Sequence, residues 1–162
     1  MKARRRLVLD TNTLVSGVLL GDSVPGKAVR MAVTEDLMLM SEDSLYELAD
    51  VLSQKKFDRY ISVEDREEFV RLVLRVVEIV PIVRAVHACR DEADNRILEV
   101  AVNGDAELIV SGDSDLLTLH PFRGIPVLKP GEYVKETQHA DETTRSSGKT
   151  DETFHLMPRG LV

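Results

Sequence analysis

The chain has 162 residues, 43% hydrophobic and 30% charged, and its 21 Lys and Arg against 28 Asp and Glu give a formal charge of −7; this suits one domain with a real core and excludes wholesale disorder. No apolar run approaches the ~20 residues a membrane helix needs, and Arg4, Arg5 and Arg6 run straight into the short Leu7-Val8-Leu9 stretch rather than a signal-peptide core, so a cytoplasmic protein with no membrane partner is expected. The single cysteine, Cys89, excludes an internal disulfide and a cysteine-based zinc cluster, leaving oxygen or histidine to hold any metal.

Arg6 to Leu9 reads as a short buried strand ended by Asp10, and Leu14 to Leu20 as the helix after it. Val24-Pro-Gly introduces a second helix over Ala28 to Val33, and Leu37 to Met40 is an apolar run of strand length. Between Ser41 and Leu52, the residues Leu45, Leu48, Ala49 and Leu52 fall at i, i+3, i+4 and i+7, the spacing of an amphipathic helix. Ser62 and Asp65 open a long helical pattern carrying Phe69, Leu72, Val73, Val76 and Val77, followed by a strand over Ile79 to Val83 that Pro81 confines to a sheet edge. A helix over Glu92 to Val102 stops at Asn103-Gly104, with Gly104 in the terminating C′ position. Glu107 to Ser111 is a buried strand, Asp113 to Leu119 a short helix and Gly124 to Leu128 a final strand. Such alternation implies a parallel sheet sandwiched by helices. From Lys135 the composition turns polar, so a domain is expected over 1–134 and a flexible or partner-dependent tail over 135–162, with Phe154, Leu156 and Met157 as candidate docking residues.

Charge is unevenly placed along the chain. Residues 91–115 hold Asp91, Glu92, Asp94, Glu99, Asp105, Glu107, Asp113 and Asp115 against Arg96 alone, whereas residues 1–30 hold six bases against Asp10 and Asp22. Concentrated carboxylates beside basic flanks suit a metal-dependent site for a polyanion. Asp10 ends the first strand, at the edge where open parallel sheets bind ligands, although Asp is also a favoured helix cap. Ser111-Gly-Asp113-Ser-Asp115 repeats the theme after another apolar strand, with two acids where one cap suffices.

Asp94 is the sharper signal, because Ile97, Leu98 and Ala101 follow it at i+3, i+4 and i+7 and place it on the apolar face. A carboxylate there needs a donor, a cation or a metal, or else takes up a proton. Asp91 and Glu92 read as first-turn partners of the helix dipole. Glu47 lies about 160–200° from its helix's apolar stripe, which by geometry alone is the solvated face. Several carboxylates at one sheet edge repel unless divalent cations neutralise them, and Mg²⁺ or Mn²⁺ in an all-oxygen site supports phosphodiester hydrolysis.

Two other motifs weigh less. Gly21 to Lys27 has the GxxxxGK spacing of a phosphate-binding loop, but Ala28 replaces the Ser or Thr that reaches Mg²⁺ and Pro25 removes a backbone donor. Leu7-Val-Leu-Asp10-Thr-Asn12-Thr13 resembles the opening of haloacid dehalogenase-type phosphatases, yet Asn12 stands where their general acid does. Gln54 to Tyr60 interleaves Lys55, Lys56 and Arg59 with Phe57 and Tyr60, which suits either a grip on single-stranded RNA or a solvated helix end anchored by two rings. His87, His120, His139 and His155 show no ligand spacing.

In order, Val8-Leu-Asp10-Thr-Asn12, Ser44-Leu-Tyr-Glu47-Leu, Arg90-Asp91-Glu-Ala-Asp94-Asn and Val110-Ser-Gly-Asp113-Ser-Asp115-Leu-Leu resemble the PIN-domain nucleases, over residues 6–134. The match is closest to the bacterial and archaeal branch described as toxin components of toxin–antitoxin systems. The resemblance implies a Rossmann-like three-layer α/β/α sandwich with a central parallel sheet of about five strands, and a divalent-metal-dependent endoribonuclease. It implies Asp10, Glu47, Asp94 and Asp113 as the catalytic acids, Asp115 as a further ligand beside Asp10, Asp94 and Asp113, and Asn12 and Ser111 as residues that orient groups or waters. Two Mg²⁺ or Mn²⁺ ions would then promote attack of water on phosphorus, leaving 5′-phosphate and 3′-hydroxyl ends. A homodimer and an antitoxin protein are the partners it implies. The alternatives are a catalytically idle PIN-like module that binds RNA or protein, and the phosphatase.

Overall fold

The computed structural model describes residues 3–142. Strand β1 (Arg6–Leu9) lies at the centre of a five-stranded sheet of order β3-β2-β1-β4-β5, where β2 is Leu37–Met40, β3 Glu78–Ile79, β4 Leu108–Val110 and β5 Val127–Leu128. Every pairing is parallel. Parallel strands covered on both faces need apolar side chains at successive positions, which is why the three inner strands, after Arg6 at the start of β1, are continuous apolar runs rather than alternating ones.

Alternate residues feed two cores. Leu7, Leu9, Met38, Met40, Leu108 and Val110 pack under helices α1 (Thr11–Leu19), α2 (Val24–Glu35), α3 (Glu42–Leu52) and α4 (Val63–Val76), against Leu14, Val29, Leu48 and Phe69. Val8, Leu39 and Ile109 face the other way, against Ile97, Leu98 and Ala101 of α5 (Glu92–Asn103) and Leu116 of α6 (Ser114–Leu117). The result is the expected three-layer α/β/α sandwich. Among the described residues no helix is long and apolar enough to cross a membrane.

The chain winds one way from β1 to β2 and the other way from β1 to β4, so the strand order reverses between β1 and β4. Ligands in open parallel sheets bind outside the carboxyl ends of strands at such a point. The residues that leave those two ends are Asp10 and Ser111-Gly112-Asp113.

Several boundaries differ from the sequence expectation. Helix α1 starts at Thr11 and α2 at Val24, because the Asp10 and Ser23 side chains cap them. Strand β3 ends before Pro81, and β5 is confined to Val127–Leu128 because Phe122 and Ile125 close a tight turn in which Arg123 and Gly124 take φ of 49° and 82°. Gly104 caps α5 at φ −96°, so Asp105, at φ 51°, is the left-handed residue there. Gly104 is required for a different reason: a Cβ would meet Leu39 Cδ1, Val80 Cγ2 and the Val100 carbonyl at 2.9 Å.

The boundary expected at 134/135 falls inside a helix, α7 (Pro130–Glu142), which packs on α2. Tyr133, Val134 and Thr137 are buried, the Tyr133 hydroxyl donates to Asp36 Oδ2 at 2.6 Å, and Arg5 pairs with Glu136 at 2.6 Å. Three docked residues in a polar stretch leave too short a period to stand out in composition. The remaining residues of the expected tail, Phe154, Leu156 and Met157 among them, lie outside the described residues.

Candidate metal centre

Asp10 ends β1 and caps α1. Its Oδ1 accepts the Thr13 amide at 2.8 Å, while its Oδ2 accepts the Ser111 hydroxyl, from the end of the neighbouring strand β4. Ser111 Oγ in turn accepts the Asp113 amide at 3.0 Å, and Asp113 Oδ1 accepts that of Asp115 at 2.8 Å, capping α6. The cap reading of Asp10 and Asp113 is thus realised, and in each the cap uses only one carboxylate oxygen.

Asp94 approaches from the third residue of α5 and is only 7% exposed. One carboxylate oxygen each from Asp94, Asp113 and Asp115 lie within 4.8 Å of one another. Asp94 Oδ2 is buried and has no hydrogen-bond partner among the described residues. Burial first, then the charge of and hydrogen bond with Asp113, and the charges of Asp91 and Asp115, push the Asp94 carboxyl up to about 6. Half-buried Cys89 stands beside this cluster; burial, then the charges of Asp94, Asp115, Asp113 and Asp91, raise its thiol. A cleft of about 310 Å³ is lined by Asp10, Asn12, Thr13, Ser16, Gly112 and Asp113, together with Pro25 and Pro130.

The loop before α5 is held by Asn95, whose Oδ1 accepts the Ala88 and Cys89 amides at 3.0 and 2.8 Å and whose Nδ2 donates to the Cys89 carbonyl at 3.0 Å. Residue spacing gives Asn95, Cys89, Arg96 and Pro130 no place in the site, and Pro25 only a place at a helix start. A buried amide directly after Asp94 is the one local signal that could have found the loop anchor.

Of the expected site residues, Asp94, Asp113 and Asp115 converge, Asp10 and Ser111 are tied to them by hydrogen bonds, and Asn12 is exposed on the cleft wall. Glu47 stands apart from the three-acid group. It is half-buried on α3 and faces Arg96 Nη1 of α5 at 3.7 Å, so the solvated-face geometry is only partly realised. Lys55, Lys56 and Arg59 are exposed on the α3–α4 connection, with Lys56 and Arg59 5.1 and 5.9 Å from the Phe57 and Tyr60 ring centroids. Phe57 anchors to the core and Tyr60 does not.

An all-oxygen group with a buried carboxylate oxygen that lacks a donor fits a hard divalent cation, which would satisfy that oxygen and offset the repulsion. Fold and site together define an α/β protein with an acidic edge, of a chemistry that could hold a cation, at the switch point of its sheet. The PIN domain sequence pattern matches residues 6–115, and the chain belongs to the PIN domain family, whose members are generally nucleases. It is 27% identical over 126 residues to the uncharacterized protein MJ1680 of Methanocaldococcus jannaschii, covering 73% of this chain and 77% of that one. In fold it is similar to a chain in the crystal structure of VapBC2 from Rickettsia felis bound to a DNA fragment from their promoter, with a TM-score of 0.53 and 13% identity over 76% of this chain and 98% of the other.

Proposed function

We propose that the protein is a Mg²⁺- or Mn²⁺-dependent endoribonuclease, the toxin of a toxin–antitoxin pair, working in the cytoplasm as a homodimer held in check by an antitoxin protein. The observation that carries the nuclease reading is the grouping of the Asp94, Asp113 and Asp115 carboxylates around an Asp94 whose buried Oδ2 has no hydrogen-bond partner among the described residues. The toxin and partner readings rest on the order of the acidic motifs, which resembles the toxin branch of the family.

Asp94, Asp113 and Asp115, with Asp10 across the Ser111 bridge, would hold the cation, and Ser111 fixes which Asp10 oxygen is turned away from the α1 cap. Such a cation supplies Lewis acidity, lowering the pKa of water and stabilising charge at phosphorus. Glu47, which faces Arg96 at 3.7 Å, would serve as a catalytic carboxylate that orients the attacking water, and Asn12 would offer its amide to the cleft that it lines with Asp10. Lys55, Lys56 and Arg59 would contact the RNA backbone, with exposed Tyr60 as a stacking surface. Both oxygens of Asp10 already accept hydrogen bonds, which disfavours its use as the attacking nucleophile of a phosphatase.

The test is cleavage of end-labelled single-stranded RNA in EDTA, Mg²⁺ or Mn²⁺, beside Asp94→Asn. Metal-dependent cutting, reduced at least ~100-fold in the variant, is expected. Cutting that persists in EDTA, or that the variant retains, would sink the reading.

A further inference from the structure

The solvent side of the α3–α4 helix pair carries apolar surface that nothing among the described residues covers. A groove of about 330 Å³ runs between the two helices, lined by Ala49 and Leu52 of α3, by Ser53 just after it, and by Val63, Arg66, Glu67, Val70 and Arg71 of α4. The α4 residues fall at i, i+3, i+4, i+7 and i+8, one face of the helix, and Leu74 continues it at i+11. Val63 and Leu74, at the two ends of this stripe, are 48% and 51% exposed. Tyr46, on the same side of α3 as Ala49 and Ser53, is 69% exposed.

The charges along this face are ordered. Glu64, Asp65, Glu67 and Glu68 occupy the first half of α4, and Arg71 and Arg75 the second, while Arg66 is buried and committed to Asp58 and to the Leu52 and Gln54 carbonyls. Glu67 and Arg71 make no ion pair among the described residues. Taken from either end, the stripe Val63, Glu67, Val70, Arg71, Leu74 is apolar at its ends and near its middle, with acid towards one end and base towards the other. Reversed, it complements itself.

We propose that this face binds a second copy of the chain, α4 against α4 in antiparallel register about a two-fold axis near Phe69 and Val70. In that register Val63 of each copy meets Leu74 of the other, Glu67 meets Arg71, and the two Val70 side chains lie beside the axis, as an isologous interface requires. A parallel register would oppose acid to acid and base to base. The Arg66 knot joins the end of α3 to the start of α4, so the face is presented as one preformed surface. The inference rests on the two-copy part of the proposed function and adds where the copies meet; it does not depend on nuclease activity.

The experiment is light scattering and sedimentation of the full-length chain over a concentration series, for wild type, Leu74→Glu, Glu67→Arg and the double variant Glu67→Arg/Arg71→Glu, with circular dichroism confirming that each is folded. The wild type is expected to dimerise, Leu74→Glu to be monomeric, Glu67→Arg to raise the dimer Kd ~10-fold or more, and the double variant to return within ~3-fold of wild type because the swapped charges again oppose. A wild type that stays monomeric, pairing only with a different protein, overturns both the two-copy reading and this face. A dimer that neither Leu74→Glu nor Glu67→Arg weakens overturns the face alone.

Discussion

Asp94 shows how one buried carboxylate joins structure to chemistry. Its position on the apolar face of α5 is legible from spacing, as is the consequence that it needs a partner. That the partners are two further carboxylates, Asp113 and Asp115, follows from tertiary approach. A carboxyl raised to about 6 binds more protons in the folded chain than in the unfolded one between pH ~4 and ~6. The metal-free protein should accordingly lose stability as pH rises through that window, and Asp94→Asn should flatten the dependence, which thermal melts in EDTA from pH 4 to 7 would register. A melting temperature that climbs steadily across the window in wild type would contradict this. Cation binding should strengthen over the same range, because the ligand must be deprotonated to coordinate.

At the scale of elements, caps are legible only in part: Asp10 and Ser62 cap their helices as their residue types suggest, whereas Asp91, read as a first-turn residue, is the cap of α5, and Ser23 caps α2 ahead of Val24-Pro-Gly-Lys, before the apolar pattern begins. The Ser41 and Ser44 pair closes a full reciprocal cap on α3, and Ser62 caps α4. What the spacing of α4 concealed was Arg66, a charged residue at a buried position. Its guanidinium satisfies two carbonyls at the end of α3, at 2.7 and 3.0 Å, and pairs with Asp58, fixing the turn that presents Lys55, Lys56 and Arg59. Arg66→Ala strands those carbonyls and opens a gap, and a loss of ~2–4 kcal/mol is expected in urea unfolding. A loss below ~1 kcal/mol would show that the turn holds without it.

For the whole molecule, α7 is the element most at odds with composition. It closes the cleft wall with Pro130 and reaches back to the first and second strands through Tyr133, Asp36 and Arg5. Burial first, reinforced by Asp36, raises the Tyr133 phenol well above its ordinary value, so it stays a donor at any working pH. Tyr133→Phe leaves Asp36 Oδ2 with Arg5 at 3.5 Å as its remaining partner and should cost ~1–2 kcal/mol, read from chemical denaturation, with the cleft acids undisturbed. No measurable change would mean that apolar packing alone docks the helix.

By itself the sequence determined the alternation of strands and helices, the two-sided burial of the sheet and the acids that end its strands, because periods of two and 3.6 residues and local caps are short-range properties. The tertiary structure decided which strand ends become neighbours. Placing β4 beside β1 brings Ser111 to Asp10 across 101 residues, packing α3 near α5 turns Glu47 towards Arg96, and docking α7 on α2 completes the cleft. Those juxtapositions depend on the order of strands in the sheet and on which helices pack against one another, neither of which leaves a trace in residue spacing.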